Sequence, residues 1–158
     1  GEDRYRRAVD TYRWRATPHP ALKVFDAPDA FASCTRRIRS NTPLQALTLL
    51  NDPAFFEIAQ GLAERVLKEG GKADEARIAL RVRLCLARDP DARELSVLKS
   101  FLSRQRELYA GMDVETLSAV VHRAHGAEAV DEAQRSEQAA WVMLARVLLN
   151  LDETITRE

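Results

Sequence analysis

The chain has 158 residues, 46% hydrophobic and 30% charged, with 24 basic residues against 24 acidic. That apolar share is too large for a disordered tail, and no apolar run approaches the ~18 to 20 residues of a membrane-spanning helix. A chain of this length points to a single domain burying roughly 70% of its unfolded surface, and zero net charge argues against a general nucleic-acid binder.

The opening stretch from Arg4 to Arg15 is compatible with a helix, with Tyr5, Ala8, Val9 and Tyr12 at helical spacing among arginines. Five of the six prolines (Pro18, Pro20, Pro28, Pro43 and Pro53) fall between residues 18 and 53. From Thr17 to Ser40 no period holds, because Pro18-His19-Pro20 and Pro28 interrupt any long helix. Leu22, Val24, Phe25 and Phe31 are too many apolar groups for a loose linker, so an ordered irregular segment is expected there.

Thr42-Pro43-Leu44-Gln45 spells a capping box, with Thr42 as N-cap, Pro43 at the first helical position and Gln45 reaching back to the Thr42 amide. This predicts a short helix to about Leu50. Asp52-Pro53 repeats the cap-plus-proline signal, and Phe55, Ile58, Ala59, Leu62 and Val66 mark the inward face of a helix ending at Lys68, with Gly70-Gly71 as its stop. Asp74 opens the next helix, to about Arg88, with Ile78, Val82, Cys85 and Leu86 inward. Asp91 and Glu94 cap a third, whose buried stripe is Leu95, Leu98, Phe101, Leu102 and Tyr109 and whose end is Gly111. Between residues 112 and 135 the pattern is weakest: Val114, Leu117, Val120 and Val121 suggest a helix that Gly126 then interrupts. The last helix is expected from Ser136 to Leu151, and its stretch from Ala139 to Leu149 is apolar nearly all round, which places it at the centre of a bundle. No stretch alternates with period two. The expected fold is all-α: one domain over 1–158, in which a motif-rich part, 1–53, is packed over a helical bundle, 53–158.

Charge is unevenly spread. Residues 1–40 hold nine basic and five acidic groups, a balance of +4, which leaves 15 and 19, a balance of −4, for the remainder. Arg36, Arg37 and Arg39 stand just before the Thr42 helix, where backbone amides favour an anion and forked guanidinium groups, with Asn41 beside them, suit a sulfate, phosphate or carboxylate. The plainer reading is that these arginines pair with Asp26, Asp29 and Asp52 and pin the irregular segment, which needs side-chain partners for its backbone. His19, near Asp26 and Asp29 in sequence, is the candidate for acid–base or metal chemistry, although a lone histidine is more often a packed one. His122 and His125, with Glu115 or Glu128 nearby, fit a metal no better than chance spacing does, and no metal site is expected. Cys34 and Cys85 match no zinc or haem-attachment spacing; a bridge between them and two free thiols both remain open. Arginine neighbours could activate Cys34, but a buried or bridged residue is the commoner case, and Cys85 belongs to an apolar helix face.

The ordered motifs Thr17-Pro18-His19-Pro20, Phe25-Asp26-Ala27-Pro28-Asp29, Cys34-Thr35-Arg36-Arg37, Asn41-Thr42-Pro43-Leu44-Gln45-Ala46-Leu47 and Leu49-Leu50-Asn51-Asp52-Pro53 resemble the planctomycete-type domain-of-unknown-function family 1553. Leu84-x-Leu86-Ala87-Arg88-x-Pro90-x-x-x-Glu94-Leu95 and the stretch from Trp141 to Glu153 are also similar to it, so the likeness spans nearly the whole chain. The resemblance implies the C-terminal part of a large exported bacterial protein, in an extracytoplasmic setting, with a further half upstream and c-type haem possible on other domains. A link to sulfated or other anionic polysaccharide is implied too, with no activity established for the domain. No CxxCH stands in this chain, so no cofactor is expected on it.

Two functions follow as expectations. The first is a non-catalytic interaction module that docks on the upstream half of the same protein or on a partner domain. The alternative is half of an enzyme site, in which Arg36, Arg37 and Asn41 hold an anionic sugar group while His19 or Asp26 transfers protons. Binding of nucleic acid is a distant third, since the basic end lacks a regular basic stripe or aromatic platforms, and membrane insertion is not expected.

Overall fold

The computed structural model describes residues 12, 14, 16–28, 31–36, 40–121 and 131–156. Among them lie eight helices and no strand: α1 (Pro20–Val24), α2 (Pro43–Asn51), α3 (Pro53–Glu69), α4 (Asp74–Leu86), α5 (Ala92–Tyr109), α6 (Val114–Val120), α7 (Glu132–Leu149) and α8 (Asp152–Ile155). The chain divides into two compact units, Gly1–Thr48 and Leu49–Glu158, a boundary that falls inside α2. The all-α expectation holds, and no described helix is long and apolar enough to cross a membrane.

Local chemistry sets most helix starts. In α5 the Asp91 carboxylate accepts from the Glu94 amide at 2.7 Å while Glu94 accepts from the Asp91 amide at 2.8 Å, a complete capping box. Asp52 caps α3 through the Ala54 amide at 2.8 Å, with Pro53 at the first helical position. The α3–α4 turn needs its glycines, because a Cβ on Gly70 would lie 2.6 Å from the Val66 carbonyl oxygen and Gly71 has φ +73°.

The bundle is organised around α7, against which α3, α4, α5, α6 and α8 all pack. Ala139, Ala140, Trp141, Val142, Leu144, Ala145 and Leu148 are buried, as the all-round apolar pattern predicts, and Ile78, Val82, Cys85, Leu102 and Leu117 join them. The stripe on α3 is rotated from expectation: Ile58 is half exposed, while Gln60 is buried beside Ala59, Ala63 and Val66. Gln60 can take that place because its Nε2 donates to the Val120 carbonyl at 2.7 Å. Likewise α7 begins four residues before the expected Ser136, with Ser136 Oγ donating to the Tyr109 carbonyl.

Two expectations at the N-terminal end lie outside the described residues or change. Of the predicted Arg4–Arg15 helix only Tyr12 and Trp14 are described; both are non-helical and exposed. The segment expected to be irregular contains a helical turn, α1, because His19 Nδ1 accepts from the Ala21 amide at 3.3 Å and Pro20 presets the first helical φ.

Candidate functional site

Within the first unit, the side chain that gathers most of the polar contacts is Gln45. It is 2% exposed, an unusual place for an amide at the start of a helix. The capping box explains one end of it: Gln45 Oε1 accepts from the Thr42 amide at 2.9 Å, and Thr42 Oγ1 accepts from the Gln45 amide at 3.3 Å. Its other end reaches across the chain. Gln45 Nε2 donates to the Val24 carbonyl at 2.9 Å, to Ser40 Oγ at 2.9 Å and to Asp26 Oδ2 at 3.3 Å, and Ser40 Oγ itself donates to Asp26 Oδ2. Asp26 stands at φ 51°, in the left-handed region just past the end of α1, where a short polar side chain is tolerated. One amide therefore ties the end of α1, the Asp26 turn, Ser40 and the start of α2 into a clamp.

That arrangement turns α2 inside out. With Gln45 held inward, Leu44 and Leu47 project outward at 58% and 56% exposure. Phe31 is also exposed, as are Tyr12 and Trp14. The first unit thus keeps a polar group at its centre and shows large apolar ones on its surface, the reverse of the ordinary distribution.

The residues singled out from the sequence are placed as follows. His19 caps α1 and Asp26 belongs to the clamp, so both carry local structure. Asn41 sits between Ser40 and the Thr42 cap and is exposed. Arg36 is exposed, and its carbonyl accepts from Cys34 Sγ at 3.5 Å. Asp29, Arg37, Arg39, His122 and His125 lie outside the described residues. Asp52 caps α3. Cys34, expected to be buried or bridged, is instead unbridged and exposed, because residues 31–36 all lie on the surface; Cys85 is in no disulfide and is buried in the core, as expected. No group of three or more His, Cys, Asp or Glu among the described residues could hold a metal.

A sequence model of the family described as PSD1, protein of unknown function (DUF1553), matches residues 1–102. The chain belongs to this family. Comparison with the curated proteins and with the solved structures gives no match. The DUF1553 span takes in the Gln45 clamp, the outward face of α2, all of α3 and α4 and part of α5, whereas the likeness noted for Trp141 to Glu153 lies beyond it.

The DUF1553 span also carries a group that sequence reasoning missed. Arg81, in α4, is fully buried and has no carboxylate partner among the described residues. Its Nη1 donates to the Trp141 carbonyl at 2.6 Å and its guanidinium lies 5.0 Å from the Trp141 ring centroid, but Nε and Nη2 have no partner. Burial pushes its pKa down to about 9, so it is still a cation at neutral pH. Sealing such a charge from water without a counter-ion costs several kcal/mol. The one available signal was its register: Ile78, Arg81, Val82 and Cys85 share a face, and Arg81 occupies an inward position.

Several charges nearer the surface of the bundle are paired. Arg106 clasps Asp74 at 2.5 and 2.8 Å and Glu137 at 2.6 and 2.7 Å, and Glu137 also accepts from the Trp141 indole at 2.7 Å. Burial alone would raise the Glu137 carboxyl, but Arg106 and the indole N–H outweigh it and hold it low. Arg88 forks onto both Glu94 and Glu153, joining the α5 cap to α8.

Proposed function

We propose that this DUF1553 chain is a non-catalytic interaction module. Its first 48 residues present an apolar, positively biased surface to an acidic, apolar-centred surface on the upstream half of the same exported bacterial protein. The observation that carries this reading is the reversal in α2, where Gln45 is buried and Leu44 and Leu47 are exposed. A soluble surface keeps such a face when something covers it. The +4 balance of residues 1–40 gives the sign of the expected partner surface. The enzymatic alternative has less support, since His19 caps a helix and Asp26 accepts two hydrogen bonds inside the clamp. An extracytoplasmic location, with any haem carried elsewhere in the protein, goes with the same proposal.

The test uses the full polypeptide, intact and as the double variant Leu44→Asp, Leu47→Asp. Chemical cross-linking from Lys23 to the upstream part, read by mass spectrometry, is expected in the parent and lost by more than tenfold in the variant. Cross-links of equal yield in both would reject the docking role, and so would a parent without any.

A further inference from the structure

On the second unit, three large apolar side chains left exposed converge on one cavity: Val97 of α5 at 59%, Val147 of α7 at 37% and Leu151, just past the end of α7, at 37%. They rim a groove of about 280 Å³ whose floor is buried Val82 and Leu148 and whose walls are Leu86 and Leu98. Val97 flanks Leu98 and Val147 flanks Leu148, so the apolar face of each helix runs on past the seam where α5 and α7 pack. Isolated apolar groups on a surface are ordinary, whereas a contiguous set around an apolar concavity is the usual form of a ligand site. Two charged residues complete the lining, Arg93 and Glu94. Glu94 is already engaged: Arg88 donates to both its oxygens, at 2.7 and 2.9 Å, and the Asp91 amide donates to Oε2 at 2.8 Å. Arg93 is exposed and forms no ion pair or hydrogen bond among the described residues, so its guanidinium is the lining group left to receive a polar ligand atom.

We propose that this groove binds an amphiphile with one aliphatic chain of about eight to ten carbons and a carboxylate head, the chain lying over Val82 and Leu148 and the head forked onto Arg93. A volume of about 280 Å³ holds about nine groups of ~30 Å³ each, which sets the length of the chain. The paired N–H donors of a guanidinium match the two oxygens of a carboxylate, which sets the head. Each methylene taken out of water strengthens binding about fourfold, so two carbons change the affinity roughly fifteenfold until the groove is full. The groove is built from the second unit alone, so it stands or falls independently of the docking proposed for the first.

The experiment titrates the whole chain with decanoate and with decyltrimethylammonium, each below its micelle concentration, and follows the methyl NMR signals of Val82, Val97, Val147 and Leu148. Saturable binding of decanoate at one site is expected, about tenfold or more tighter than that of the cationic amphiphile. Octanoate should bind roughly fifteenfold more weakly than decanoate, and chains beyond about ten carbons should gain little. Arg93→Gln should abolish the preference for decanoate, and Val97→Asp should weaken decanoate about tenfold or more. Both positions are exposed, so the melting temperature of each variant should stay at that of the parent. No saturable shift with decanoate, equal affinity for the two amphiphiles in the parent, or a preference that survives Arg93→Gln overturns the proposal. So does a dimer of the unliganded chain that Val97→Asp dissociates, which would assign the groove to a second copy.

Discussion

The two units of this chain solve the burial of polar groups in opposite ways. Unit Gly1–Thr48 places an uncharged amide, Gln45, at its centre and satisfies it through four neighbours, while Leu44, Leu47 and Phe31 face outward. Unit Leu49–Glu158 has an apolar core centred on α7 and buries the Arg81 guanidinium, which is only partly satisfied. The first draws its order from hydrogen bonds between segments that have little apolar surface to bury, and the second from apolar area. A clamp of that kind fixes a short, proline-punctuated segment in one conformation with Leu44 and Leu47 exposed on its surface. A bundle such as the second unit needs no partner to bury its core.

The largest effect that separates them is expected at Trp141, which is fully buried and touches both Arg81 and Glu137. Replacing it with Ala should cost the bundle about 3–5 kcal/mol, seen as a lower urea midpoint or loss of cooperative unfolding. A midpoint close to that of the parent would mean that α7 is not the organising element. Gln45→Ala comes next. It leaves the Val24 carbonyl without its donor and removes the amide that ties Asp26 and Ser40 to α2, at a cost of about 1–3 kcal/mol confined to the first unit. Hydrogen exchange should quicken at residues 20–28 and 40–48 with amides of α5 and α7 unaffected; uniform quickening would erase the contrast drawn between the units.

The smallest expected effect concerns acid. Arg88 and the Asp91 amide hold the Glu94 carboxyl at about 2, against an ordinary 4.5, and Arg88 lowers Glu153 as well. A folded-state value below the unfolded one means stability that is present above pH 4.5 and lost as pH falls through about 2. Glu94→Gln should therefore melt below the parent near neutrality and converge with it in acid. Curves that stay parallel throughout would show that the Arg88 fork contributes nothing measurable, as many exposed pairs do.

Much of the fold was legible because its signals are local. Thr42 with Gln45, Asp52 with Pro53 and Asp91 with Glu94 each act across three residues or fewer, and all three caps stand where the pattern puts them. The all-round apolar stretch of α7 likewise announces its central place. Positions whose fate depends on distant partners were not legible. Gln60 displaces Ile58 from the core because a carbonyl sixty residues away accepts its amide, and Arg81 goes inward because the Trp141 carbonyl and ring receive it. His19 read as chemistry and became a cap, since whether its imidazole faces a backbone amide is a matter of the turn it sits in.

By itself, then, the sequence determined the helical class, the helix boundaries near their caps, the DUF1553 membership and the neutral sum that hides a basic first part. Capping and apolar periodicity are properties of neighbouring residues, so they survive without knowledge of the rest. Only the tertiary structure decided that Gln45 turns in and Leu44 turns out, and that Arg81 goes into the core with no buried carboxylate among the described residues. Burial of a polar group depends on whether partners converge from separate segments, and that convergence exists only in the folded chain.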